Sequence, residues 1–370
     1  MSNLSRLLKE SWTLVEDRQD KLASYFYARM FLNNPQLRDL FPVQMDVQRS
    51  RLLGAIVTAV QTVDDPDTFA EYLLSLGRDH RKFHVQPEHY DVVGDALMDA
   101  LRTFAGDEWT LEFDQAWRDG YAVIAAKMIA GAEADSTNPP YWHAEVLYHE
   151  RRTPDVAVIT CRPMQPLEYR AGQYISLECR CQPRLWRVYS AANAPRKDGS
   201  IDFHVRAVGA GWVSSALVRR VQAGDMIRLG APMGSMVLDR RSTRDIVCVA
   251  GGTGLAPIKA LIEEMTRANR TRWVHVFFGA RNREDLYDLA CLNRLAARYP
   301  WLSVVAATTD DPEFPGEHGR ISDVVARYGP WNDHDFFVSG SPQMVRSTLR
   351  TLAEMQVPAI RIKYDAFGDC

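Results

Sequence analysis

Three of the chain's nine histidines fall in RDHRKFHVQPEHY, residues 78–90. A neutral imidazole ligates a metal through one ring nitrogen while the other donates a hydrogen bond. His80 and His84 are four apart, a spacing that also suits zinc if a third ligand lies close, which neither Asp79 nor His89 obviously supplies. A second reactive stretch is VCVAGGTGLAPIKALI, 247–262, a strand, a glycine-rich turn and a helix. Gly251, Gly252, Thr253 and Gly254 would let backbone N–H groups approach a pyrophosphate at a helix N-terminus. The turn lacks the G-x-G-x-x-G spacing and also reads as an ordinary tight strand–helix connection. RVYS, 187–190, ends a strand-like run, and GWVSSAL, 211–217, opens a helix.

These groups need two kinds of scaffold. Up to about residue 138, apolar residues recur at helical spacing, as in YDVVGDALMDALRTF, with proline and polar breaks between the runs. Pro87 after Gln86 starts a helix with proline at its first position. ADSTNPPYW, 134–142, is a short polar linker. Short alternating runs such as DVAVITCRP, QYISLECR and IDFHVRAV then predict a small antiparallel β-barrel. From about residue 241 strands alternate with helices, which predicts a parallel α/β domain. The expected domains are 1–138, 139–240 and 241–370.

The 370 residues are 46% hydrophobic and 25% charged, enough for several buried cores. Net charge is −3 with no basic block, so nothing favours nucleic acid or an anionic membrane as partner. No apolar run approaches the roughly 20 residues of a membrane span. The first residues lack a secretory signal pattern, so the expected compartment is the cytoplasm. The six cysteines show no metal-cluster spacing and read as thiols; Cys179 and Cys181, two apart in a strand-like run, are expected on one face.

RVYS, GWVSSAL, GGTGLAP and the C-terminal YDAFG resemble the ferredoxin–NADP reductase superfamily in order and spacing. The resemblance covers roughly residues 142–370 and implies FAD and NADH or NADPH. It gives Arg187 to the flavin pyrophosphate, Tyr189 and Ser190 to the isoalloxazine ring, and Phe367 to the flavin as C-terminal aromatic. Gly211, Ser214 and Ser215 would hold the FAD pyrophosphate at a helix start. Two departures stand out. Ser339-Gly340-Ser341-Pro342 replaces the family's Cys-Gly-Pro, implying slower hydride transfer, and Asp365 stands for a glutamate. In GARNREDLYD, 279–288, Arg281 and Arg283 offer charge for a 2′-phosphate, although the stretch resembles NADH-using oxygenase reductases.

No iron–sulfur ligand set is present to receive electrons from such a reductase. The helical half resembles the globin domain of flavohaemoglobins in SYFYARMFLNNPQLRDLF, VQRSRLLGAI and DHRKFHVQPEHYDVVGDAL, roughly residues 5–132. The resemblance makes His80 the proximal ligand of haem b, and Phe41 the aromatic wedged against the haem. Tyr27, Gln48 and Leu52 form the distal set, and Tyr90 packs by the proximal histidine. Singly, each residue also reads as core or surface. The family's acid on the last globin helix falls at Ala132, with Glu133 one step, about 100° of helix, away. Asp79 replaces a lysine beside the proximal histidine and would repel a haem propionate.

The resemblance thus implies a multidomain fold: an all-α globin, an FAD-binding antiparallel β-barrel, and a parallel-sheet α/β NAD-binding domain. It implies passage of electrons from NADH or NADPH through FAD to haem, with O₂ and NO as partners and nitrate as product. The departures leave two alternatives open. One is an enzyme using another donor, such as a hydroxy acid, or another acceptor; the other is an O₂ or NO sensor. A lipid or other apolar ligand is a further candidate for the distal pocket.

Overall fold

The computed structural model describes residues 3–209, 211–269 and 271–366. The described residues divide into two compact units, one ending at Tyr141 and one beginning at Trp142. The first is helical: α1 (Asn3–Thr13), α2 (Gln19–Asn33), α3 (Asp46–Thr62), α4 (Pro66–His80), α5 (Pro87–Ala105) and α6 (Leu111–Ala134). Local signals set the helix starts. Thr110 accepts a hydrogen bond from the Phe113 N–H at 3.1 Å and so caps α6. Gln86 and His89 cap α5 reciprocally, the Gln86 N–H donating to His89 Nδ1 at 3.1 Å. His89 is thereby a capping residue, and His84 ends the short turn after α4 in the left-handed region, its ring against Tyr141.

The core gathers Leu22, Phe26, Met30, Met98 and Leu101 from α2 and α5, with Trp12 and Trp117 beside them. α4 and α6 meet backbone to backbone. A Cβ on Gly77 would overlap the Met128 carbonyl, and one on Gly131 would overlap the Leu74 carbonyl. Just past α4, Arg81 donates to the Asp135 carbonyl at 2.6 Å and the Asn138 carbonyl at 2.7 Å, beyond the end of α6. The helix ending in His80 is therefore held along its last turn and a half.

The second unit opens with β1 (Trp142–Arg151), β2 (Val156–Pro163), β3 (Tyr174–Cys179), β4 (Arg187–Ser190), β5 (Ile201–Arg206), α7 (Trp212–Arg219) and β6 (Met226–Leu229). The antiparallel order is β4-β3-β6-β1-β2-β5, and an Ala191–Phe203 bridge links the two edges into a nearly closed barrel. β3 ends at Cys179, which is buried, while Cys181 lies in the following turn and is exposed. The expectation of one face for both thiols fails because the strand stops between them.

A parallel sheet follows, built from β7 (Ile246–Gly251), α8 (Leu255–Ala268), β8 (Val274–Ala280), α9 (Leu289–Arg298), β9 (Leu302–Thr308), β10 (Glu317–His318), α10 (Ile321–Tyr328), β11 (Asp335–Gly340), α11 (Pro342–Glu354) and β12 (Ile362–Ala366). Its order, β10-β9-β8-β7-β11-β12, reverses direction between β7 and β11. A crevice opens at the carboxyl ends of the strands where the order reverses. Barrel and sheet share a core in which Ala171, Ala194, Met236 and Leu238 pack with Leu261 and Met265. No described helix is long and apolar enough to cross a membrane.

The α4–α6 contact makes a test. Alanine is the better helix former by about 1 kcal/mol. Overlap with a backbone carbonyl has no flexible neighbour to relieve it, and overpacking of this kind costs roughly 1–3 kcal/mol. Gly77→Ala and Gly131→Ala should each lower the thermal midpoint of the helical unit, read by circular dichroism. An unchanged or higher midpoint for both contradicts the backbone contact.

Candidate functional site

The last residue of α4 is His80, and its Nδ1 lies 2.8 Å from the Leu76 carbonyl one turn earlier. That contact fixes the tautomer, since a carbonyl accepts only from a protonated nitrogen, and leaves the lone pair on Nε2. Burial lowers the imidazole's pKa, opposed by Asp79, so the ring stays neutral. Phe83 packs edge-on against it, with centroids 5.9 Å apart. A neutral, oriented imidazole is the donor that haem iron takes. Asp79 does not stand free to repel a propionate: Lys82 Nζ donates to its Oδ1 at 2.6 Å. Sequence spacing shows both residues but not the pairing.

Tyr90, on α5, is half-buried, and burial raises its phenol pKa. No hydrogen bond joins it to His80 among the described residues. Its carbonyl instead accepts from the Tyr121 hydroxyl at 2.6 Å. The Tyr121 ring lies over Gly94, where a Cβ would come within 2.7 Å of a ring carbon. Glu133 is exposed and makes no hydrogen bond to His80 or Tyr90. Tyr121 is the polar group that α6 offers this region, and no sequence motif marks it.

Tyr27, Phe41, Gln48 and Leu52 come together where α2 meets α3. The Tyr27 hydroxyl donates to the Gln48 main-chain carbonyl at 3.3 Å. Burial pushes that phenol up to about 12, with Gln48 and Arg49 pulling it partly back. Phe26, Phe31 and Phe41 surround the Tyr27 ring at centroid distances of 4.8, 5.9 and 5.6 Å. Phe41 and Leu52 are half-buried apolar side chains packed on the same core. The Gln48 side chain is half-buried at the first turns of α3. A protonated hydroxyl set in aromatic surroundings beside half-covered apolar groups suits an apolar, flat group and a small polar ligand.

In the second unit, β4 pairs with β3, and strand alternation puts Arg187 and Tyr189 on one face. Tyr189 packs on the barrel core, and burial raises its pKa. Ser190, nearly buried, points the other way and donates to Asp365 Oδ2 at 3.4 Å. Burial raises the Asp365 carboxyl's pKa, partly opposed by Ser190. Asp365 is also the register partner of Ser339 on β11. The Ser339 hydroxyl is fully buried without a hydrogen-bond partner. Barrel and sheet therefore bring Ser190, Asp365 and Ser339 to one place, the mouth of the crevice. Phe367 lies outside the described residues.

Gly211 is the residue before α7, and a Cβ there would overlap the Ser214 hydroxyl. That hydroxyl accepts from the Val208 N–H at 3.3 Å and donates to the Gly211 carbonyl at 3.2 Å, so it shapes the loop. Ser215 is half-buried, with its backbone N–H bonded to Gly211. At the end of β7, Gly252 takes φ +54° and Gly254 fits under the Ser339 carbonyl with no room for a Cβ. Gly251, Gly252 and Thr253 remain partly open. Arg206, which sequence reasoning missed, reaches this turn from β5. Its Nη1 lies 3.7 Å from where a Gly252 Cβ would be, and Nη2 donates to Asp285 at 2.6 Å. An arginine ending a strand carries no sequence signal; the barrel–sheet packing creates its position. An open glycine turn with a guanidinium beside it fits a pyrophosphate.

Comparison with known proteins agrees with this division. The family models for Globin, Oxidoreductase FAD-binding domain and Oxidoreductase NAD-binding domain match residues 24–128, 145–238 and 248–350. The chain is 27% identical over 395 residues to a flavohemoprotein of Bacillus subtilis, covering 98% of this chain and 96% of that one. A flavohemoglobin from Malassezia yamatoensis, solved with bound FAD and heme, shares the fold with a TM-score of 0.83, 21% identity and 100% of both chains covered. The flavohem-like FAD/NAD-binding domain of a Vibrio cholerae nitric oxide dioxygenase covers 61% of this chain and 98% of its own, with a TM-score of 0.56 and 22% identity. A globin carrying an FAD- and NAD-dependent oxidoreductase module is the class these features define. The chain is a globin joined to FAD-binding and NAD-binding oxidoreductase domains, the make-up of the flavohemoproteins it resembles over 98% of its length, and haem, FAD and a nicotinamide dinucleotide are its cofactors.

Barrel and sheet are also joined by His204, whose Nδ1 lies 2.7 Å from the Tyr287 hydroxyl. Burial, then Lys259 and Arg152, holds this imidazole well below its usual pKa. The folded state therefore resists a proton that the unfolded chain accepts near 6.5. Stability present above that pH is lost as pH falls through it. The melting midpoint of the FAD/NAD unit should fall between pH 7 and 5, and His204→Gln should flatten the decline; equal slopes for both proteins contradict the assignment.

Proposed function

We propose that this oxidoreductase is a nitric oxide dioxygenase, with a haem domain at 1–138, a flavin domain at 139–240 and a nucleotide domain at 241–370. Two NO and two O₂ would consume one reduced nicotinamide dinucleotide and yield two nitrates, the oxidised dinucleotide and a proton. The observation that carries the reading is the Tyr27 hydroxyl, kept protonated by burial and bonded only weakly to the Gln48 carbonyl. Such a donor can turn to a small oxygen-bearing ligand and favour charge that develops on it. The Vibrio cholerae relative's description as a nitric oxide dioxygenase agrees.

When bound, the flavin converts hydride into single electrons and the haem iron supplies one-electron chemistry toward diatomic gases. The protein's own groups do the rest. His80 offers Nε2 because Leu76 holds Nδ1. Phe41 and Leu52 would give a haem apolar walls, Tyr90 would support His80, and Gln48 and Tyr27 would meet a small ligand together. Arg187, Gly211 and Ser215 would hold the FAD pyrophosphate, with Ser214 shaping the loop. Tyr189 would cover the flavin ring, and Ser190 would offer it a hydroxyl backed by Asp365. Gly251, Gly252, Thr253 and Gly254 receive the dinucleotide pyrophosphate beside Arg206.

Purified protein supplied with NADH under air should consume NO well above its His80→Ala variant, measured with an NO electrode. Tyr27→Phe should lower the rate about a hundredfold, the usual loss when one charge-stabilising donor is removed. Consumption no faster than the His80→Ala control refutes the reading.

A further inference from the structure

The 2′ position of a bound dinucleotide is read at the end of the strand that follows the glycine turn. Here that strand is β8, and it delivers Arg281 and Arg283 to the carboxyl edge of the sheet. Two arginines at such a place would ordinarily clamp a 2′-phosphate. The neighbouring strand intervenes. Asp311, just past β9, takes Arg283 as a bidentate partner: Nε donates to Oδ2 at 2.6 Å and Nη2 to Oδ1 at 2.9 Å. The Arg283 backbone N–H also points to Oδ2 at 3.4 Å. The carboxylate is itself fixed: the Glu313 N–H donates to Oδ1 at 3.2 Å, and Thr308 Oγ1 holds the Asp311 carbonyl at 3.1 Å. Backbone bonds from Thr309 to Ala280 and from Asp310 to Arg281 stitch the two loops together.

We infer that Asp311 is a nucleotide-selecting residue that makes this chain favour NADH over NADPH. It does so by occupying Arg283 and presenting a carboxylate to the ribose. A ribose 2′-hydroxyl can donate to that carboxylate, whereas a 2′-phosphate would be repelled and would have to compete for Arg283. The surroundings add to the repulsion. Glu284, Asp310 and Glu313 lie in the same two loops, and Asp285 is paired with Arg206. Arg281 is exposed and has no ion-pair partner among the described residues, so it alone stays available to a phosphate. The side chain of Asp311 is 13% exposed and that of Arg283 45%, which leaves the guanidinium reachable once the carboxylate is gone. The inference rests on the dinucleotide lying along the β7 glycine turn.

Calorimetric titration of the FAD- and haem-loaded chain with NAD⁺ and with NADP⁺ tests it without turnover. Wild type should bind NAD⁺ about tenfold or more tighter than NADP⁺, the worth of one charged contact. Asp311→Asn should tighten NADP⁺ by a similar factor and weaken NAD⁺ by less, since the amide oxygen still accepts from the 2′-hydroxyl, and the NADP⁺ gain should vanish in the Asp311→Asn/Arg283→Ala double variant. A wild type that prefers NADP⁺, an unchanged ratio in Asp311→Asn, or a gain that survives loss of Arg283 would each overturn the proposal. Loss of binding to both dinucleotides would instead overturn their placement on the glycine turn, and this proposal with it.

Discussion

A held second nitrogen fixes the tautomer and orientation that suit an imidazole to a metal, and in this chain the Leu76 carbonyl holds that of His80. Leu76 can do so only because the last turn of α4 is rigid. Gly77 and Gly131 let α4 and α6 touch at their backbones, and Arg81 ties the segment after His80 to the segment after α6. The orientation of His80 thus depends on one short carbonyl contact backed by the α4–α6 packing. The pairing of Asp79 with Lys82 adds to this, since it neutralises a carboxylate one residue from His80.

The second unit answers to a different constraint. Its crevice exists because the strand order reverses between β7 and β11, leaving two carboxyl ends with diverging loops. Glycines there are required by contact: Gly254 lies under the Ser339 carbonyl. The barrel closes the crevice from the other side through Arg206, His204 and Ser190. Ser190, His204, Arg206 and the glycine turn are thereby brought to one edge of the sheet by topology before any side chain is chosen.

Much of this was legible in the sequence. Helical periodicity before residue 138 and alternation after it marked the three layers, because burial of one face imposes those periods. The Gly-Gly-Thr-Gly turn and the Arg-Val-Tyr-Ser strand could be read because their spacing is local. What stayed hidden was set by contacts distant in the chain. Tyr121 meets Tyr90 across two helices, Arg206 reaches Gly252 across two domains, and Asp311 captures Arg283 from the next strand. Asp79 was misjudged for the same reason in miniature, since spacing alone does not show that Lys82 turns back to it. Cys179 and Cys181 were misjudged because a strand end is the least determined part of a strand.

The central claim is that one chain carries a haem site and a flavin site joined by electron flow. It is tested most directly by the absorption spectrum of the purified protein before and after anaerobic addition of NADH. The expected result is a Soret band together with flavin absorption, both changing on reduction. Flavin absorption that bleaches without any Soret band, or a Soret band that NADH leaves unmoved, would contradict it.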